Sequence, residues 1–294
     1  MQLNEIGQQL RAYRLESGLR AEEIAARLGV SRAALYRYEK GEVIKLDTVQ
    51  RLAELLKISP LSLLGFGVEY YSRAVGFFER LRQIEESADQ ILQVGLPYSF
   101  LVASDTLDEA VSRFMMQAVA GAATADQDAA LAMTTQVLSL LAARRQAYRV
   151  RRPGIIAILP EAQVRRLLED GICPGLKLDE AGRRHCRAIA RAEVQNIAHS
   201  LETEPMGLQF SLLGGTPPST SCVLLRQRDR ASLAINPFRA DVPYDVPSGI
   251  AMVTSAPEAI STHQRVIEAM WHDSVKGIAA AQRLRALLAE HDAG

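Results

Sequence analysis

Between Leu19 and Gly41 the apolar and polar positions repeat with the period of two short helices. Ile24, Ala25 and Leu28 recur at helical steps and give the first helix a buried face. Gly29 stands where the chain must leave that helix, and lacking a Cβ it accepts a positive φ cheaply. Val30 follows as a plug, and Ser31 can cap the free N–H groups of the next helix. There Ala34, Leu35 and Tyr38 point inward, which leaves Arg32, Ala33, Tyr36 and Arg37 together on another face. The expected unit is a helix-turn-helix whose second helix carries arginines outward.

Farther along, Val68, Tyr71, Val75, Phe78, Leu81, Ile84, Ala88 and Ile91 follow one another at three- and four-residue steps. This stripe predicts one long helix to about Val94, packed either on its own C-terminal domain or on the same helix of a second copy. From Gly95 the texture changes. Phe100 to Ala103, Ile155 to Leu159, Leu208 to Leu213, Cys222 to Leu225, Ser232 to Ile235 and Ile250 to Val253 are short apolar runs suited to a buried sheet. Helices are expected between and after them, at about 107–122, 127–149, 162–170, 180–202 and 257–290. Such an order implies a mixed α/β domain with helices covering the sheet. The expected organisation is multidomain: an all-α helix-turn-helix domain over 1–66, a helical connector over 67–95, and an α/β domain over 96–294.

Over residues 3 to 65 the pattern resembles the lambda repressor and Cro family of helix-turn-helix domains, also called the Xre family. The resemblance rests on Arg11-Ala12-Tyr13-Arg14, Gly18-Leu19, the two central helices, Glu39-x-Gly41, and a fourth helix through Val49, Leu52, Ala53 and Leu56. It implies a structural ion pair between Arg14 and Glu39, and base-reading positions at Arg32, Ala33 and Arg37. Where the family often has a glutamine that grips a phosphate, this chain has Ala21; neighbouring Arg20 can substitute. An arginine can make a bidentate contact to guanine, whereas alanine offers only apolar contact to a thymine methyl, so guanine-containing half-sites are expected. Ser31, Lys40 and Lys45 complete the expected DNA-binding set. Tyr36 either touches a phosphate or covers the core.

Charge narrows this picture. The chain has 34 Lys and Arg against 34 Asp and Glu, which argues against non-specific coating of nucleic acid. From Arg27 to Lys45, however, five basic residues face two acids, a modest basic face of the kind that suits sequence-specific binding. With 294 residues and 48% hydrophobic content, the remainder can bury a core of its own. Neither a signal-peptide pattern nor an apolar run of spanning length occurs in the sequence, so a cytoplasmic protein without membrane contact is expected. Cys173, Cys186 and Cys222 are far apart and odd in number, which fits reduced core thiols.

The α/β part has no Gly-x-Ser-x-Gly elbow, P-loop, His-Glu-x-x-His or dinucleotide fingerprint, and none of the five histidines belongs to a catalytic pattern. No enzyme and no cofactor are expected. Ligands of α/β sheets tend to bind beyond strand ends, and three such ends are polar: Ser104-Asp105-Thr106, Asn236 to Arg239, and Thr254-Ser255. Ser104, Asp105, Asn236, Arg239, Thr254 and Ser255 are therefore the candidates for binding a small-molecule effector. Thr106 with Glu109, and Ser255 with Glu258, also fit capping boxes that merely start helices. The architecture further resembles effector domains built on a phospholipase D fold without catalytic residues, as in some sugar-sensing regulators, although no His-x-Lys signature is present. These readings converge on a homodimeric, effector-responsive transcriptional regulator on an inverted-repeat operator. The alternatives are a large domain that only oligomerises or binds a protein partner, and an enzyme with an autoregulatory DNA-binding module.

Overall fold

A computed structural model describes residues 3–65, 67–122, 126–239, 244 and 248–292. Residue 66, the expected end of the first domain, lies outside this set. Five helices come first: α1 (Leu3–Ser17), α2 (Ala21–Leu28), α3 (Arg32–Glu39), α4 (Leu46–Leu56) and α5 (Pro60–Leu63). Leu10, Ile24, Leu35, Leu52 and Leu63 meet at their centre without solvent exposure.

The rest is built on one eight-stranded sheet. Its strands are β1 (Val68–Tyr71), β2 (Gln90–Val94), β3 (Gly154–Pro160), β4 (Leu208–Leu213), β5 (Cys222–Arg226), β6 (Ala231–Ile235), β7 (Ala251–Thr254) and β8 (Val275–Lys276). They lie in the order β1-β7-β6-β5-β2-β3-β4-β8. Only β2, β3 and β4 run parallel, joined by helical crossovers as parallel neighbours require. The other helices are α6 (Ala74–Glu85), α7 (Asp105–Ala120), α8 (Gln127–Arg151), α9 (Glu161–Asp170), α10 (Glu180–Thr203), α11 (Pro257–Asp273) and α12 (Gly277–Asp292).

Residues alternate between the two sheet faces, as the pleat demands. Ile91, Ile155, Ala157, Leu159, Phe210, Leu225 and Val253 belong to the main core, which also takes in residues of α6 to α10 and α12. Leu92, Val94, Ile158, Leu224 and Leu233 form a second cluster under α11, whose Ile267 is buried among them.

The expected long connector is not formed. Residues 68–94 divide into β1, α6 and β2, and both strands are integral to the sheet. β1 pairs antiparallel with β7, and β2 lies between β3 and β5. Val75, Phe78 and Leu81 are at most 5% exposed inside their own chain, and Phe78 packs against Phe77, Phe238 and Tyr244. They cannot be the seam between two copies. Only the middle of the stripe is truly helical. Tyr71 and Ile91 fall into step with it by coincidence of spacing, while Ser72-Arg73 and Ser87 to Asp89 interrupt the chain.

Two smaller expectations also change. Phe100–Val102 is a single 3-10 turn instead of a strand. The Tyr98 and Phe100 carbonyls take side-chain donors, from Gln93 and Arg145, in place of a ladder partner. The helix expected over 257–290 breaks at Ser274, where Val275 and Lys276 add β8 to the edge of β4 before Gly277, at φ +57°, opens α12.

The five-helix head packs directly on the sheet-containing part. α1 lies on α6, and Tyr13 stacks on Tyr71 of β1 with ring centroids 5.5 Å apart. Glu69 is buried at this junction. It accepts from Nε and Nη2 of Arg80 (2.8 and 2.9 Å), the Tyr71 hydroxyl (2.6 Å) and the amide of Gln9 from α1 (3.1 Å). Burial, and then the Glu69 charge, pushes the Tyr71 hydroxyl well above its ordinary pKa, so it remains a donor. Further contacts fasten α1: Gln83 donates to the Gln8 carbonyl at 3.0 Å, and Glu16 accepts from the backbone of Ser72 and Arg73.

Candidate nucleic-acid interface

The turn between α2 and α3 is built by local chemistry. Gly29 has φ +72°, its N–H bonds back to Ala26, and the Val30 N–H reaches Ala25, so backbone bonds turn the chain out of α2. Ser31 then accepts the Ala34 N–H at 3.1 Å and starts α3. Ahead of α2 the Arg20 N–H is taken by Glu23 at 2.9 Å. Arg51 of α4 donates to the Leu28 carbonyl at 2.9 Å, a clamp on the turn that nothing in the local sequence announces.

The outer face of α3 carries Arg32, Ala33 and Arg37, all exposed. Each arginine is held by an acid: Arg32 by Glu22 at 2.7 Å, and Arg37 by Glu42 at 2.6 Å. Tyr36 is half-buried. Its ring lies under the guanidinium groups of Arg32 (5.3 Å) and Arg14 (5.9 Å), and its hydroxyl accepts from Arg32. The ring packs against the core, and its hydroxyl lies beside Arg32 of the outer face. Arg20, Ser31, Lys40 and Lys45 are exposed around this face.

Behind α3, Arg14 and Glu39 form a two-pronged pair, Nε–Oε1 at 2.5 Å and Nη2–Oε2 at 3.1 Å, with Glu39 only 8% exposed. Gly7 lets α1 approach this end of α3 closely, since a Cβ there would lie 2.4 Å from the Tyr38 carbonyl oxygen.

Residues 5–63 match the family model of a helix-turn-helix domain. No curated protein matches the chain. One solved structure is that of TrmBL2, an archaeal chromatin protein described as showing a novel mode of DNA binding. It is 10% identical with a TM-score of 0.34, over 78% of this chain and 62% of that one. The chain thus spans less than two thirds of TrmBL2, a likeness too distant to bear on fold or function. These comparisons lend no support to a phospholipase D-like architecture.

The helix-turn-helix domain is compact and its outer face coherent, but the six candidate effector residues do not converge. Ser104, not Thr106, caps α7: its hydroxyl accepts from Leu107, and its own N–H donates to the buried Glu193. Asp105 is taken by Arg145 at 2.7 Å and by Arg149, whose hydrogen bonds hold its carboxyl below the ordinary range. Asn236 closes a turn by accepting the Phe238 N–H at 2.9 Å. Arg239 is exposed at the end of the same turn. Thr254 accepts the Ala256 N–H and donates to the Gly67 carbonyl, while Ser255 meets Ser232, so the expected box of Ser255 with Glu258 is not what starts α11. β6 and β7 are antiparallel, with Leu233 opposite Thr254. Asn236 and Thr254 therefore lie at opposite ends of that strand pair.

Two clefts are present, and of the six candidates only Asp105 lines one of them. One, of about 520 Å³, runs between α7 and α8 past Asp105, Asp108, Arg145 and Arg149. The other, of about 570 Å³, separates α1 from α8 and is lined by Arg11, Leu15, Thr135, Gln136, Ser139 and Leu140. Among the described residues no group of acidic, histidine or cysteine side chains could hold a metal, and no helix is long and apolar enough to cross a membrane.

Proposed function

We propose that the chain is a cytoplasmic, non-enzymatic transcriptional regulator of the lambda repressor and Cro type, reading DNA with α3. The observation that carries this is the outward placement of Arg32, Ala33 and Arg37 on a short helix fixed by the Ser31 cap and the Gly29 turn. Such a helix fits the major groove, where both arginines can reach guanine O6 and N7 and Ala33 can meet a thymine methyl. Arg20, Lys40 and Lys45 would neutralise flanking phosphates. One such helix reads few base pairs, so two copies on an inverted repeat are proposed, joined by a surface other than Val75, Phe78 and Leu81. Selection of bound duplexes from a random pool tests the reading. The selected site should contain guanines, and Arg32→Ala and Arg37→Ala should each lose ~1–3 kcal/mol of affinity for it with the fold intact. Unchanged affinity in both variants removes α3 as the reading element.

Effector control is a second reading, favoured by the cleft between α1 and α8. A small anionic molecule there would touch the DNA-binding head and the α/β part at once, competing for Arg11 with Glu79, whose carboxylate lies 2.8 Å from the Arg11 Nε. Greater affinity for a head released from α6 than for the fastened one would shift the population between them. An anionic metabolite library screened by thermal shift should yield binders whose effect is lost in Arg11→Ala; binders indifferent to Arg11 would place the site elsewhere.

A further inference from the structure

The three cysteines divide into two environments. Cys222, on β5, is half-buried, and burial pushes its thiol up to about 11. Cys173 and Cys186 stand thirteen positions apart in sequence, but the loop of residues 171–179 folds back onto the first turns of α10 and joins them. Gly171 makes this approach possible: at φ +81°, its ideal Cβ would lie 2.8 Å from the Cβ of Cys186 and 2.9 Å from the Arg187 nitrogen. Two residues on, Cys173 directs both its thiol and its backbone N–H at the Cys186 sulfur. The thiol hydrogen bond holds Cys186 below its ordinary range against the burial that raises it. The backbone bond and the charges of Arg113 and Arg187 add to the same effect.

We propose that Cys173 and Cys186 are a redox-active thiol pair that a small hydroperoxide converts to an intramolecular disulfide. The cover over the pair is thin: the residues are 2% and 1% exposed, but Pro174, Gly175, Arg184 and His185 beside them are exposed. The Cys186 thiolate attacks the peroxide oxygen. An S–O bond forms, the O–O bond breaks, and the alcohol or water leaves with a proton. The Cys173 sulfur then attacks the resulting sulfenic acid, forming the S–S bond and releasing water with the Cys173 proton. In sum, two thiols give two electrons to one peroxide. The sulfurs need only move from hydrogen-bond contact to ~2.05 Å.

The test uses the full reduced chain, treated with hydrogen peroxide under native conditions, then blocked, digested and mapped by mass spectrometry. One cross-linked peptide joining Cys173 to Cys186 is expected, with Cys222 recovered as a free thiol. Cys222→Ser should behave identically. In Cys173→Ser, Cys186 should stop at a sulfenic acid trapped by a cyclic diketone. Recovery of Cys173 and Cys186 as free thiols from peroxide-treated wild type or Cys222→Ser protein overturns the proposal. So does a cross-link that involves Cys222 or joins two chains. Wild type and Cys222→Ser decide the matter even where Cys173→Ser does not fold.

Discussion

Arginine–carboxylate pairs in two regions of this molecule have opposite consequences. On α3, Arg32 with Glu22 and Arg37 with Glu42 are pairs in which every side chain is about half exposed or more. At the junction of head and sheet, Arg80 with Glu69 is nearly sealed, and Arg144 with Glu85 is likewise buried between α6 and α8. The exposed pairs are screened by water and worth little to stability, so their arginines can exchange a carboxylate for a base edge or phosphate at small cost. The buried pairs have lost their water, and neither partner can be removed without stranding the other. The same chemistry thus supplies exchangeable contacts on one surface and fixed geometry behind it.

The contrast is broken most severely at Glu69. Glu69→Ala should cost ~3–5 kcal/mol in chemical denaturation, because Arg80, Tyr71 and Gln9 all lose their acceptor. A loss below 1 kcal/mol would show that water reaches the junction and that the two regions differ less than their burial implies. Glu39→Ala tests an intermediate case, with Arg14 left half-buried behind α3. Its cost should fall at ~1–3 kcal/mol, measured by the melting of the head. A transition indistinguishable from wild type would put this pair with the exposed ones. The smallest effects belong to Glu22→Ala and Glu42→Ala. Stability should move by no more than ~0.5 kcal/mol, while operator affinity should hold or rise as Arg32 and Arg37 are freed. A stability loss matching that of Glu39→Ala would erase the distinction.

The helix-turn-helix was legible because its signals are local. The Gly29 turn, the Ser31 cap and the apolar faces of α2 and α3 all lie within some twenty residues, and each part acts on its near neighbours. The pairing of Arg14 with Glu39 spans 25 positions, and only a family resemblance supplied it. Residues 68–94 were misread for the converse reason. What makes Val68–Tyr71 a strand is β7, far along the chain, and periodicity carries no record of a distant partner. The effector candidates are scattered by strand direction: Asn236 follows β6 and Thr254 ends β7, and the two strands are antiparallel. The meeting of Cys173 with Cys186 depends on a loop reversal that only Gly171 hints at.

The fastening of α1 to α6 and β1 also bears on the DNA. Each base pair inserted between two half-sites turns one about the duplex axis by roughly 34 to 36° relative to the other. Heads on slack linkers swivel to absorb such a change of phase. Here the Gln8, Gln9 and Glu16 contacts leave a head no separate axis of rotation, so a pair of these chains would have to follow the turn as whole bodies. Under the proposed pairing on an inverted repeat, operators should therefore share one helical phase, and a half-turn insertion should be as damaging as the loss of a half-site.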